Sequence, residues 1–295
     1  MTAPALPPRA VDLLACPVCG AGLVDAGGSL RCPAGHAFDR ARQGHVTLLP
    51  PGHRPPSGDD AAMVADRVAF LAAGHYAGLT RALGAAVLTG SVPPGTLLDL
   101  GGGTGAHLAG ILDRLPDAVG VVVDSSRYAA RRAARAHPRA LAVVADGWAR
   151  LPVRDAALDR VLVVFAPRGG AEIARVLRPG GLLVVATPEP EHLAELVGPL
   201  ALLRVDPDKD ARLTAALTPH LEPVGSAVHT ERLLLDHAAV RALVGMGPHA
   251  RHRSREDVAT AVAALPEPVP VGVAVRVRTW RRRVPAHPRD VPTDR

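Results

Sequence analysis

Lysine is nearly absent from this chain: of its 34 basic residues, one is Lys209 and 33 are arginine. Alanine, glycine and proline are abundant alongside. The bias reads as the composition of the source genome and is weak ground for arginine-specific chemistry. Aromatics are scarce too, with two Trp, two Tyr and three Phe. That excludes a base-stacking sheet of the RNA-recognition type. No uninterrupted apolar run approaches the roughly 18 residues of a membrane span, so no membrane partner is expected. The first 15 residues lack a charged start followed by a clean apolar stretch. No secretory signal is expected, and the expected location is cytoplasmic. Glycine and proline number 29 each, about a fifth of the chain, below the roughly 25–30% of low-complexity chains. Wholesale disorder is excluded.

What is present fits a folded chain of 295 residues, 48% of them hydrophobic. At about 100–200 residues per domain, this length suggests two domains, or one large domain with an appendage. The formal charge is +6. Residues 276–295 hold seven arginines and two aspartates, a net +5, and the rest is near neutral. Such an end can bind phosphates without reading sequence, or simply be a solubilising tail.

Cysteine is confined to three positions, all within the first 32 residues. Cys16-Pro-Val-Cys19 is followed, after twelve residues, by Cys32-Pro-Ala-Gly-His36. Zinc prefers four such ligands in a tetrahedron, and paired ligands on tight turns supply it. A disulfide reading would strand one cysteine and leave His36 without a role. His45 is a competing ligand at a poorer spacing. With all four positions filled by protein, the zinc is expected to be structural.

The segment Leu97-Leu98-Asp99-Leu100-Gly101-Gly102-Gly103-Thr104-Gly105 reads as a strand ending in a tight turn, with a helix over 106–115. Apolar runs at 119–124, 141–146, 158–165 and 181–187 read as further buried strands, the first two ending in Asp124 and Asp146. This alternation predicts a doubly wound parallel sheet whose ligand sits at the strands' carboxyl ends. Residues 224–235 and 269–280 alternate and are expected to add an antiparallel edge pair. Helices are expected over 190–203, 208–217, 236–244 and 255–264. The order of signals, with the Arg178-Pro179-Gly180-Gly181 turn, resembles class I methyltransferases that use S-adenosylmethionine. That resemblance implies that Asp99, Gly101, Gly103 and Gly105 surround the methionine part. Asp124 would then bind the ribose, and Asp146 with Gly147 would lie near the adenine. A dinucleotide fingerprint is met only loosely, by Gly101, Gly103 and Ala106. Asp99, Asp146 and the Arg-Pro-Gly-Gly turn favour S-adenosylmethionine over NAD.

Between the cysteines and the glycine loop lie Phe38-Asp39, Gly44-His45-Val46-Thr47-Leu48-Leu49-Pro50, Gly58-Asp59, Met63, Arg67, Phe70-Leu71 and Gly74-His75-Tyr76. With Phe165-Ala166-Pro167 and Thr187-Pro188-Glu189-Pro190-Glu191-His192-Leu193, this order resembles the bacterial 23S rRNA guanine-N1 methyltransferases. The resemblance covers roughly residues 14–200 and fades beyond. It implies a zinc module joined to a class I methyltransferase domain, acting on a guanine of a 23S ribosomal RNA hairpin. One branch of that family confers macrolide resistance of the tylosin type by methylating a neighbouring guanine. The arginine- and alanine-rich composition fits an actinobacterial source for that branch. The chain also departs from the pattern. Gly102 stands where cysteine is common, Thr104 where an acid is common, His45 for tyrosine and Asp66 for alanine. Cofactor binding is expected to survive these changes, because the loop works mainly through backbone.

The expected fold is thus α/β: a Rossmann-like doubly wound class I methyltransferase sheet with a small N-terminal zinc-binding module. The expected organisation is a zinc-binding RNA-recognition module at 10–50 and a linker with helix at 51–90. A methyltransferase domain follows at 91–280, then a basic, disordered tail at 281–295. Guanine N1 carries a proton at neutral pH, so a base is useful. Asp59, Asp60 and His75 are candidates, each equally readable as a helix start or a surface side chain. Phe165, Ala166 and Pro167 are assigned to the substrate pocket, and Met246-Gly247-Pro248-His249 to its border. Arg31, Arg40 and Arg42 are candidate RNA contacts of the zinc module. Arg127, Arg131 and Arg135 form a basic helix stripe. Rival readings are a small-molecule methyltransferase and a zinc-bearing RNA-binding protein without catalysis. The sequence leaves open a homodimer.

Overall fold

A computed structural model describes residues 5–53, 55, 58–166, 169–206, 208–247, 250 and 253–283. The N-terminal part is built from turns and short strands. A one-turn helix α1 (Pro8–Val11) precedes β1 (Val24–Asp25), β2 (Ser29–Arg31) and β3 (Ala37–Asp39), which form a small antiparallel sheet. β4 (Val46–Thr47) follows, then helices α2 (Ala61–Ala72) and α3 (Ala77–Val87). Asp60 caps α2 by accepting from the backbone N–H groups of Ala62 and Met63.

Strands and helices then alternate. They run β5 (Thr96–Leu100), α4 (Ala106–Leu112), β6 (Val119–Asp124), α5 (Arg127–Ala133), β7 (Ala140–Val144), β8 (Leu158–Val164), α6 (Gly170–Val176) and β9 (Leu177–Pro188). After these come α7 (Ala194–Val197), α8 (Lys209–Leu217), β10 (Leu221–Leu235), α9 (His237–Gly245), α10 (Arg255–Ala263) and β11 (Val269–Arg282). The eight-stranded sheet has the order β10-β11-β9-β8-β5-β6-β7-β4. β4 to β9 pair in parallel, and β11 enters antiparallel between β9 and the edge strand β10. The expected antiparallel pair is therefore present.

β5 sits at the reversal of strand order, with β6 on one side and β8 on the other. Open α/β sheets bind their ligands at such a switch point, outside the carboxyl ends. Because strand side chains alternate, β5 feeds two cores. Leu97 packs with Phe70, Leu83 and Ile111 on one face. Leu98 packs on the other with Leu14, Leu23, Leu30 and Cys32, so the N-terminal module shares a core with the main sheet.

Four local expectations change. The helix expected over 190–203 shrinks to α7, because left-handed residues at Leu193 (φ +58°) and Ala201 (φ +48°) break it. β4 was not expected; two residues carry no periodic signal, and pairing with β7 makes them a strand. Arg281 and Arg282, expected in the tail, end β11 opposite Glu222 and Leu221; residues 284–295 lie outside the described residues. Arg135 lies beyond the end of α5, so the basic stripe is not a single helix face. Among the described residues, no helix is long and apolar enough to cross a membrane.

Candidate cofactor cleft and metal site

The metal site comes from two tight backbone turns. Gly20 donates to the carbonyl of Cys16 and Gly35 to that of Cys32, at 2.8 and 3.0 Å. Both glycines are left-handed, at φ +75° and +85°. These turns bring Cys16, Cys19, Cys32 and His36 together with all ligand atoms within 4.8 Å of one another. Cys19 Sγ lies 3.7 Å from Cys32 Sγ, and His36 Nδ1 lies 3.6 and 3.3 Å from the sulfurs of Cys16 and Cys32. A zinc tetrahedron with bonds of about 2.0–2.3 Å has edges of about 3.3–3.8 Å. The donor set and spacing fit zinc, with the four positions filled by protein. His45 is buried elsewhere, and burial with the charge of Arg131 holds its imidazole below the ordinary range.

Around this site the three candidate arginines differ. Arg31 and Arg42 are exposed. Arg40 braces the hairpin, donating to the Gly27 carbonyl at 3.3 Å and lying 3.9 Å from Asp25.

The second site is the turn after β5. Gly101 donates to the Val123 carbonyl at 2.8 Å, laying the loop across the end of β6. Gly101 and Gly103 are left-handed at φ +70° and +57°, a conformation side chains rarely adopt. A side chain at Gly101 would strike Ala166, and one at Gly102 would begin 2.5 Å from Asp99 Cγ. Asp124 supports the loop: Gly103 N–H donates to Oδ2 at 2.9 Å and Ser126 N–H to Oδ1 at 2.8 Å. Asp99 is 1% exposed, and its Oδ1 has no hydrogen-bond partner among the described residues. Burial, reinforced by Asp124, raises its carboxyl to about 7. Asp146 accepts from Trp148 N–H at 2.9 Å and pairs with His53 Nε2 at 2.8 Å. Gly147 lies against Leu100, with a side-chain position 3.3 Å from its Cδ1.

The segment before α2 closes over this cleft. Ser126 Oγ donates to the Asp59 carbonyl at 2.5 Å. The Asp59 carboxylate pairs with Arg67 at 2.7 Å. Of the three base candidates, Asp60 is thus spent on a helix cap. His75 packs on Phe70, with ring centroids 4.8 Å apart. Only Asp59 joins the cleft. His53 and Arg67 were missed as site residues. Arg67 stands among the residues that carry the family resemblance with no role assigned, and nothing in local spacing points to His53, since each reaches the cleft from a separate element.

Beyond β8, Phe165 is left-handed (φ +54°) and 41% exposed. Its ring faces His192 with centroids 5.7 Å apart. Burial and Lys209 lower His192 to about 4, so its imidazole is neutral at physiological pH. Ala166 packs beneath the glycine loop. Pro167, Pro248 and His249 lie outside the described residues.

Comparison with known proteins adds the family. Residues 14–55 match the family described as RlmA, N-terminal, a zinc ribbon, and residues 97–181 match a methyltransferase domain. A Micromonospora griseorubida protein, provisionally named a 23S rRNA (guanine-N(1)-)-methyltransferase, is 50% identical over 277 residues. The match covers 88% of this chain and 93% of that protein. The 23S rRNA (guanine(748)-N(1))-methyltransferase of Streptomyces fradiae is 48% identical over 260 residues, covering 87% and 92%. Among solved structures, one chain of the complex between the Haloferax volcanii Trm112 methyltransferase activator and a provisionally assigned methyltransferase has a similar fold. It matches with a TM-score of 0.50 at 20% identity, over 78% of this chain and 100% of that one. The fold is that of S-adenosylmethionine-dependent methyltransferases, and with an RlmA-type zinc ribbon ahead of it the chain belongs to the 23S rRNA (guanine-N1)-methyltransferases.

Proposed function

We propose that this chain methylates N1 of guanine 748 of 23S ribosomal RNA, the position in the name of its Streptomyces fradiae relative, and that the modification protects ribosomes from macrolides of the tylosin type. The observation that carries this reading is identity of 48% over 87% of the chain and 92% of that relative. A ribosomal RNA substrate supports a cytoplasmic location for the chain.

The cleft fits S-adenosylmethionine by its own features. The left-handed glycines give a bare backbone cradle, and Asp99 offers a buried carboxylate oxygen without a partner. In this reading Asp99, Gly101, Gly103 and Gly105 surround the methionine end, Asp124 holds the ribose, and Asp146 with Gly147 borders the adenine. When bound, the cofactor supplies a methyl group activated by a positively charged sulfur. The chain's task is then mainly positioning, which can supply much of the rate. Phe165 offers an exposed ring on which a guanine swung out of its hairpin can stack. The zinc ribbon holds Arg31 and Arg42 outward toward phosphates, with zinc fixing the turns that carry them.

The test uses 23S rRNA lacking the modification, the purified chain and labelled S-adenosylmethionine, followed by primer extension. A methyl group on N1 blocks base pairing, so reverse transcriptase stops beside the modified guanine. A stop at guanine 748 is expected. A stop at another guanine overturns the position, and unlabelled RNA overturns the substrate.

A further inference from the structure

Arg67 reaches the cofactor cleft from α2, outside the methyltransferase sheet. Its Nη2 donates to Asp59 Oδ2 and to the Met246 carbonyl, each at 2.7 Å. Its Nη1 faces the glycine loop: a side chain at Gly103 would begin 2.7 Å from that atom. Nη2 is therefore shared between Asp59 and the Met246 carbonyl, while Nη1 packs against the bare backbone of the loop.

The charges around it are lopsided. Asp59, Asp99 and Asp124 are carboxyl groups of the same cleft. His107, in the first turn of α4, is half-buried, with Nδ1 2.8 Å from Thr80 Oγ1. Burial and the charge of Arg67 lower it to about 4, so it is neutral at physiological pH. Among the described residues packed on this loop, Arg67 supplies the positive charge. The ligand end that lies on such a loop in the reading above carries an α-carboxylate. An anion there needs a cation with a fork of N–H donors.

We propose that Arg67 is the counter-ion of the cofactor's α-carboxylate, and that Asp59 holds that place in the cofactor-free chain. This assignment rests on the S-adenosylmethionine reading of the cleft. The Asp59–Arg67 pair is a carboxylate on a guanidinium at 2.7 Å, the geometry the ligand would adopt. Cofactor binding then exchanges one carboxylate for another. It releases Asp59 from Arg67 while the Met246 carbonyl keeps the guanidinium in place. Gly58 to Asp60 connect the zinc ribbon to α2, so the exchange couples cofactor occupancy to the segment that joins the two modules.

The experiment compares two nucleosides by calorimetry on the full chain with zinc bound. S-adenosylhomocysteine carries the α-carboxylate, and 5′-methylthioadenosine lacks it. Arg67→Ala is expected to weaken S-adenosylhomocysteine by roughly 10- to 100-fold, the range for one lost charge-assisted contact. It should leave 5′-methylthioadenosine within about twofold, which also reports that the variant is folded. Arg67→Lys is expected to restore part of the loss. Asp59→Ala is expected to tighten S-adenosylhomocysteine, because the internal competitor is gone. Equal loss of both nucleosides in Arg67→Ala overturns the assignment in favour of a structural role. Unchanged binding of both overturns it outright, as does weakening by Asp59→Ala. Failure of the unmodified chain to bind either nucleoside overturns the cofactor reading and the assignment with it.

Discussion

His53 Nε2 lies 2.8 Å from Asp146 Oδ2, tying the segment behind the zinc ribbon to the turn after β7. The pair is partly open to solvent, with the histidine side chain 34% exposed. Such pairs contribute at most about 1 kcal/mol. His53→Ala is therefore expected to lower the melting temperature by no more than about 2–4 °C. It should nonetheless speed limited proteolysis between the ribbon and α2, because a tether of that segment is gone. A variant cleaved no faster than the parent chain would show that the pair restrains nothing.

The zinc ribbon is not an independent bead on the chain. Cys16, Leu23, Leu30 and Cys32 belong to the same buried cluster as Leu98, Val121 and Val143 of the main sheet. Metal binding energy at the ribbon is folding energy, and the shared core passes its loss to the sheet. Cys32→Ser is expected to lower the melting temperature by at least about 5 °C. A chelator should bring the parent chain to the same temperature and leave the variant unaffected. Scanning fluorimetry with zinc quantified by mass spectrometry reads both. Two separate transitions, with the main one unmoved, would show that the modules fold apart.

Asp99 makes stability fall as pH rises. Burial raises its folded carboxyl to about 7, whereas the unfolded group titrates near its ordinary 3.8. Between those values the folded chain binds more protons than the unfolded one, so this contribution is complete below about pH 4 and is lost through pH 7. Asp99→Asn keeps the shape and removes the titration. Relative to that variant, the cofactor-free chain is expected to lose stability between about pH 4 and pH 7 and to run parallel to it above. Melting curves across that range check it, and parallel curves within it would sink it.

Local signals carried the metal site and the loop, whereas convergence hid the rest. Cys16, Cys19, Cys32 and His36 meet because two short turns bring them together, so their spacing was enough. The run from Asp99 to Gly105 is likewise one continuous turn. Arg67 and His53 come from a helix and a linker that only the folded chain brings to the cleft, whereas Met246, expected at the pocket's border, meets Arg67 through its carbonyl. Asp59 and Asp60 are neighbours with opposite fates, an ion pair and a helix cap. Only the path of the backbone into α2 distinguishes them. The family resemblance fades in the last third, yet β10 and β11 were still legible there, because alternating side chains mark a strand without any motif.

Gly102 is the departure from the family pattern that the packing explains. A side chain there would begin 2.5 Å from Asp99 Cγ and 2.9 Å from Val122 Cγ1. Gly102→Cys, the residue common in the resembling family, must push the buried carboxyl aside. Overpacking of this kind costs about 1–3 kcal/mol. The expected outcome is a melting temperature lower by several degrees and weaker binding of S-adenosylhomocysteine. A variant as stable as the parent would mean that Asp99 moves freely, and the raised carboxyl would then return toward its ordinary range.

Phe165 holds a left-handed backbone while leaving 41% of its surface exposed. That conformation costs a residue with a side chain about 1–3 kcal/mol, and an exposed ring returns little of it through burial. Ala166, next to it, packs beneath the glycine loop, so the backbone here cannot relax without disturbing that loop. The strain is explained if the ring serves the substrate. Phe165→Gly suits the backbone and removes the ring. It is expected to melt at the parent temperature or slightly above, and to bind S-adenosylhomocysteine normally. Its kcat/KM for RNA should fall roughly 10- to 100-fold, the range of one lost base-stacking contact. Phe165→Ala should show the same loss on RNA without the gain in stability. A glycine variant that methylates RNA as well as the parent would remove Phe165 from the substrate site and leave its strained backbone to the support of the glycine loop alone.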